Sequence, residues 1–257
     1  MLSAYSSLSQ VIAHRGSSGQ APENTLASLH LAGQQGIKWV EIDVMLSADG
    51  IPVIFHDDYL SRTTNGEGLI HKTTLEQLKL LDAGSWKGQE YQQQTIPTLL
   101  EAIEVISQYG MGLNLELKPC DGLEEETTAA SIEVLKSYWP KDLPLLLSSF
   151  NYFSLTSAKE LWPEIELGYN VSAIPKAWRS RLEHLGCSGL HIHQPFFDAH
   201  QVAEIKAAGY KVLAFTINNE SLALDLFDQG LDAVFSDYPQ QIQQALDLNQ
   251  QPEILAI

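Results

Sequence analysis

At 257 residues, 44% hydrophobic and 18% charged, the chain can bury a sizeable core and lacks the composition of a disordered protein. Its 15 Lys+Arg stand against 32 Asp+Glu, a net charge of -17. That excludes a nucleic-acid backbone or an anionic membrane surface as the main partner, because both call for basic patches. An anionic small-molecule substrate stays open if positive charge is supplied locally, and a metal ion is one source.

In chain order, stretches 11–14, 39–46, 112–118, 145–150, 166–171, 189–193, 211–217 and 233–236 read as strands. Between them, 25–35, 99–108, 124–138, 154–161, 199–208 and 222–229 read as helices. Gly36, Gly110, Gly209 and Gly230 fall just past four helices, where a left-handed C-cap favours glycine. Eight strands alternating with helices over this length predict an α/β fold, a TIM-type (β/α)8 barrel in one domain spanning 1–257. Residues 52–56 also read as a strand but follow the second one too closely for a parallel crossover. They are expected to fold back as an antiparallel arm, turning near Asp49-Gly50 and bringing His56 roughly opposite Asp43. The stretch 57–95 then becomes a small inserted subdomain after the second strand, with a helix around 74–81, placed over the active face.

Two cysteines, Cys120 and Cys187, define no disulfide framework and read as buried small side chains. The stretch 1–9 lacks the basic start and apolar run of a signal peptide, and no apolar run approaches a membrane span, so the expected location is the cytoplasm. Nothing in the sequence marks an oligomer interface.

Strand alternation places the chemistry. In the second strand Val40, Ile42 and Val44 suit the helix layer, so Glu41 and Asp43 point into the barrel. In the next barrel strand Leu113, Leu115 and Leu117 face out while Asn114, Glu116 and Lys118 face in. Three carboxylates converging inside a barrel need a compensating cation, and their ligand type suits Mg²⁺ or Ca²⁺. A salt-bridge cluster around Arg15 and Lys118 is the structural alternative. His14 ends the first strand and His56 the arm, so both reach the same rim. Two imidazoles suit deprotonation of a nucleophile and protonation of a leaving alcohol near neutral pH. Arg15 and Lys118 would meet the non-bridging oxygens of a phosphate.

The strings Ala13-His14-Arg15-Gly16, Pro22-Glu23-Asn24-Thr25, Glu41-Ile42-Asp43-Val44, Pro52-Val53-Ile54-Phe55-His56-Asp57 and Arg62-Thr63-Thr64-Asn65-Gly66 resemble the glycerophosphodiester phosphodiesterase family, in its cytosolic bacterial branch. Asp82-Ala83-Gly84-Ser85-Trp86, Glu116-Leu117-Lys118, Leu147-Ser148-Ser149-Phe150 and Ser236-Asp237-Tyr238-Pro239 continue the resemblance in order, over roughly 10–245. It implies that Glu41, Asp43 and Glu116 hold one divalent metal ion, with His14 and His56 the acid/base pair and Arg15 and Lys118 at the phosphate. The implied reaction hydrolyses glycerophosphodiesters such as glycerophosphocholine or glycerophosphoethanolamine to sn-glycerol 3-phosphate and an alcohol. The substrate's own hydroxyl attacks phosphorus, and water then opens the cyclic phosphate.

Where many members carry Trp-Thr-Val-Asn, this chain has Phe215-Thr216-Ile217-Asn218. With Phe150, Phe215 is expected against the glycerol carbons, the alternative being plain barrel core. His191 and His193 share one side of their strand near the rim. Two rival readings are a phospholipase D/C-like enzyme on lysolipids and a non-catalytic phosphoester-binding barrel. Against the first, no basic amphipathic segment suits stable membrane association.

Overall fold

The computed structural model describes residues 3–249; Met1 and Leu2 of the N-terminal stretch read above lie outside them. Among the described residues nine strands form one sheet. Eight are parallel: β1 (Val11–His14), β2 (Trp39–Leu46), β4 (Gly112–Leu117), β5 (Leu145–Ser149), β6 (Glu166–Val171), β7 (Gly189–His193), β8 (Lys211–Phe215) and β9 (Ala233–Ser236). Pairing of β1 with both β9 and β2 closes the ring, which gives the expected TIM-type barrel.

The outward residues of β2 and β4, among them Val40, Ile42, Val44, Leu113 and Leu115, join the main apolar core. They pack there with residues of α1 (Leu26–Gln34) and α3 (Leu99–Gln108). Around the rest of the barrel run α4 (Glu124–Tyr138), α5 (Tyr152–Leu161), α6 (Trp178–Leu185), α7 (Ala199–Ala207), α8 (Glu220–Asp228) and α9 (Pro239–Asn249). The sequence reading did not pick out α6 or α9. α6 is short and polar on most of its surface, and α9 opens with a Gln-rich run behind Pro239. Gly36, Gly110, Gly209 and Gly230 all take positive φ, as expected past a helix end.

The extra strand β3 (Pro52–Ile54) pairs antiparallel with β2, Val44 opposite Ile54 and Leu46 opposite Pro52. This register corrects one expectation. Asp43 lies across from Phe55, whose N–H donates to the Asp43 carbonyl at 3.0 Å, so His56 sits one position further along. The cause is the odd-length loop between Leu46 and Pro52, which shifts the pairing by one residue. Four strands also end earlier than expected: Phe55-His56, Lys118, Phe150 and Thr216-Ile217 lie just beyond their strands, where the chain diverges into the loops of the barrel mouth.

Residues 57–95 leave the ladder as turns, three 3-10 segments and the short helix α2 (Leu75–Leu78), shorter than the expected 74–81. Thr74 and Gln77 form a reciprocal capping box at its start. Leu60, Ile70, Leu78 and Ala83 bury against Met45, Val53, Phe55 and Cys120, making a second small core beside the barrel. Both cysteines are free and buried.

The end of the barrel opposite the mouth is filled. Tyr5 packs with Ile12, Trp39, Leu146, Leu213 and Phe235. The Tyr5 hydroxyl lies 3.0 Å from His191 Nε2, its N–H donates to Glu166 at 3.0 Å, and Trp39 Nε1 donates to the Ser7 carbonyl. Gly168 and Gly189 make room: a Cβ on either would lie within 3 Å of the Tyr5 or His191 side chain.

Candidate active site

The three inward carboxylates come together as the strand pattern requires. In the parallel ladder Glu41 lies beside Asn114 and Asp43 beside Glu116. Glu41, Asp43 and Glu116 offer oxygen atoms all within 4.8 Å of one another. Glu41 and Asp43 are almost completely buried, at 3% and 1% exposure.

Such crowding is costly to ionise. Burial, then the charges of Asp43 and Glu116, pushes the Glu41 carboxyl well above its ordinary range. Burial, then Asp43, raises Glu116 to about 7. Burial also works against Asp43, but Arg15, His56 and Lys118 outweigh it and hold Asp43 below the usual value. The positive groups are thus partly spent inside the site. Arg15 Nη1 donates to Glu23 at 2.7 Å, its Nε lies 3.2 Å from Asp43, and Lys118 Nζ stands 3.8 Å from Glu116.

A divalent cation fits these residues. The carboxylates are hard oxygen donors with more negative charge than their neighbours cancel. The side-chain carbonyl oxygens of Asn114 and Asn170 are buried without a hydrogen-bond donor, and both residues line the same cavity as Glu41 and Glu116.

The cavity measures about 260 Å³ and opens at the C-terminal ends of the strands, where barrel enzymes keep their chemistry. His14, Arg15, Glu41, His56, Glu116 and Lys118 all line it, so the predicted set converges. Phe150 and Phe215 line the other wall, their rings edge to face at 5.7 Å. His191 does not reach it. That ring is buried below against Tyr5, and burial lowers its pKa to about 3. His193 sits higher and stacks on Phe215 at 5.6 Å.

Each mouth histidine is held by a carboxylate through Nδ1. His14 Nδ1 lies 2.7 Å from Asp237 Oδ1, and Asp237 also accepts from Ser18 Oγ at 2.9 Å and Asn218 Nδ2 at 2.7 Å. These bonds outweigh burial and hold the Asp237 carboxyl well below its ordinary range. His56 Nδ1 pairs with Asp57, which Arg62 also grips. Burial, only partly offset by Asp43, lowers the His56 pKa.

Sequence reasoning quoted Glu23, Asn24, Asp57 and Asp237 inside motifs without giving them work. Asn24, at φ 56, donates to Asp43 at 2.8 Å. Glu23 takes both Arg15 and Arg62, tying the β1–α1 turn to the segment 57–95. Asn170, which no motif flagged, donates to Glu116 at 3.1 Å. The turn itself depends on Gly16, at φ 79, because a Cβ there would meet Ser28 on the first turn of α1 at 2.4 Å. It delivers the Arg15 N–H to Glu41 at 3.0 Å.

A glycerophosphodiester phosphodiesterase of Caldanaerobacter subterraneus is 33% identical over 90% of this chain and 94% of its own. A phosphodiesterase of Oleispira antarctica, solved with the product sn-glycerol-3-phosphate, is 84% identical, with a TM-score of 0.95 over 95% of this chain and 99% of that one. A glycerophosphodiester phosphodiesterase of Parabacteroides distasonis superposes with a TM-score of 0.78 at 27% identity, over 94% and 98% of the two chains. Residues 14–241 match the Glycerophosphoryl diester phosphodiesterase family, and the chain belongs to that family.

Proposed function

We propose that this enzyme hydrolyses glycerophosphodiesters such as glycerophosphoethanolamine or glycerophosphocholine to sn-glycerol 3-phosphate and an alcohol. One divalent ion, Mg²⁺ or Ca²⁺, would be held by Glu41, Asp43 and Glu116. The observation that carries the reading is a cavity where three carboxylates, two of them buried, meet two histidines, each fixed through Nδ1 by its own aspartate. The product bound by the Oleispira antarctica relative supports the same reaction.

In this reading the bound ion supplies electrophilic stabilisation of the phosphoryl oxygens. Lys118, and Arg15 as far as its carboxylate partners release it, add positive charge there. With Nδ1 committed to Asp237 or Asp57, each imidazole presents Nε2 as its working nitrogen. One imidazole takes the proton of the attacking glycerol hydroxyl while the other protonates the departing alcohol oxygen. In the second step the proton goes back: the first imidazole protonates the glycerol oxygen as the other deprotonates the incoming water. Phe150 and Phe215 bound the glycerol side and exclude water from it.

The segment 57–95 belongs to the same catalytic domain in this proposal. It bears Arg62, and its Lys87 and Tyr91 donate to carbonyls of the β1–α1 loop. Among the described residues no helix is long and apolar enough to cross a membrane, which agrees with a small-molecule diester as substrate.

The test is release of sn-glycerol 3-phosphate from both diesters, with EDTA and then with each metal restored. Release that EDTA abolishes and one ion restores is the expected result. Undiminished release in EDTA would remove the metal from the reading, and no release under any condition would remove the reaction.

A further inference from the structure

The segment 57–95 reaches the mouth histidines through one side chain. Its 3-10 turn Leu60–Arg62 is fixed from below: Leu60 is buried in the second small core, and its N–H donates to the Gly68 carbonyl at 3.0 Å. Arg62, two residues on, leaves that core and lines a groove beside the mouth together with His56, Asp57 and Lys118. There the guanidinium meets two carboxylates at once. Nε and Nη2 donate to the two oxygens of Asp57. Nη1 and Nη2 donate to the two oxygens of Glu23, at 2.8 and 2.7 Å.

A half-exposed ion pair is ordinarily worth little, because ordering two long side chains offsets a screened attraction. Geometry sets this one apart. Three nitrogens of a rigid fork serve four carboxylate oxygens, which a lysine cannot reproduce. Both carboxylates lead somewhere. Glu23, only 13% exposed, stands on the β1–α1 turn and also takes Arg15. Asp57 pairs with Nδ1 of His56. Burial works against the Asp57 charge, but the bonds from Arg62 and His56 outweigh it and bring the carboxyl down to about 2.

The two histidines of the mouth differ on this point. Behind His14, Asp237 is held by two neutral donors, Ser18 Oγ and Asn218 Nδ2. Behind His56, among the described residues, Asp57 is held by Arg62 alone. Without that guanidinium nothing fixes the carboxylate that orients the imidazole.

We propose that Arg62 is a positioning residue for the reaction: anchored on Glu23, it fixes Asp57 and through it the His56 imidazole, so that Nε2 is presented to the cavity. The segment 57–95 then contributes to turnover by delivering this one arginine. The inference rests on the reading of His56 as one of the two acid/base groups.

The experiment measures kcat, KM, melting temperature and the pH–rate profile on glycerophosphoethanolamine, in the metal that supports the parent. The variants are Arg62→Gln, Arg62→Lys, Asp57→Asn and the double variant Asp57→Asn/Arg62→Gln. Arg62→Gln should lower kcat roughly 10- to 100-fold, the cost of a displaced reacting group, with KM little changed. Arg62→Lys keeps the charge, loses the fork and should recover only a minor part of that loss. The double variant should be no slower than the slower single one, because both changes act through the same carboxylate. The profile should move as well. Asp43, Arg15 and Lys118 face His56 besides Asp57 and stay in place. Removing the Arg62 charge therefore favours the imidazolium and shifts the His56 limb to higher pH, and Asp57→Asn shifts it the other way. Parental kcat in Arg62→Gln would overturn the inference, and so would full recovery in Arg62→Lys, which keeps the test open if the glutamine variant fails to fold. A lowered melting temperature with an unmoved profile would overturn it too, leaving Arg62 as a brace for the segment alone. No release by the parent in either metal would take down the reading of His56 as well.

Discussion

The two ends of this barrel are built from the same strands on opposite physical terms. At the N-terminal end, polar atoms are few and nearly all paired. The Tyr5 hydroxyl meets His191, Trp39 Nε1 meets a carbonyl, and glycines at 168 and 189 let the rings close together. At the mouth, three carboxylates crowd within 4.8 Å, two of them with raised pKa, while asparagine carbonyls stay without donors. One end is satisfied by its own side chains and backbone, with His191 Nδ1 the exception. The other is left unsatisfied in the way a site for a cation and a phosphate requires, and folding tolerates that because the rest of the barrel is well packed.

Changes at the mouth should therefore cost activity far more than stability, and changes at the base the reverse. The largest expected effect comes from His14→Ala or His56→Ala. Each should lower turnover by about 10²–10⁴-fold while circular dichroism and melting stay close to the parent. A double variant with parental activity would break the contrast at its strongest point. Next is Asp237→Asn, which leaves the side-chain shape but loses the acceptor that fixes His14. A fall in kcat on the order of 10²-fold with KM little changed is expected, and its pH–rate profile should shift. A KM effect alone would make Asp237 a substrate contact.

The ends should also answer pH in opposite directions. Glu116 moves from 4.5 to about 7 on folding. In metal-free protein its contribution is present at low pH and is lost as pH rises through that window. His191 moves from 6.5 to about 3, so the unfolded chain takes up the proton first and stability is lost as pH falls through that interval. Each slope is at most on the order of 1.4 kcal/mol per pH unit. Denaturant titrations across pH should show Glu116→Gln removing a loss of stability as pH rises from 4.5 to about 7, and His191→Gln removing a loss as pH falls from 6.5 to about 3. The opposite assignment of slopes would contradict the geometry. The smallest effect is at the base: Tyr5→Phe leaves a buried imidazole nitrogen without its partner and should cost about 1–2 kcal/mol, with activity unchanged. Lost activity would mean that the contact of His191 with Phe235, which itself lines the cavity, carries the change from base to mouth.

The barrel was legible because its strands alternate so strictly. Val40, Ile42 and Val44 against Glu41 and Asp43 left one choice of inward face, and the register then set Asp43 beside Glu116. The same local logic could not count the residues of the 47–51 loop against the ladder, so it placed His56 one position off. It also could not see Asp237 beside His14, because that pair spans nearly the whole chain and forms only when β9 closes against β1. The role of Asn170 was hidden for a similar reason: it meets Glu116 from a different strand.

The most direct test of the contrast is the melting temperature of metal-free protein as Mg²⁺ or Ca²⁺ is added, in the parent, in Glu41→Gln and in Tyr5→Phe. At 100 times the dissociation constant, binding to the folded state is worth about 2.7 kcal/mol, a rise of several degrees for a chain of this size. The predicted result is that rise in the parent and in Tyr5→Phe, and its loss in Glu41→Gln at the same ion concentration. An equal rise in all three, or none in the parent, would contradict the assignment of the mouth as the metal site.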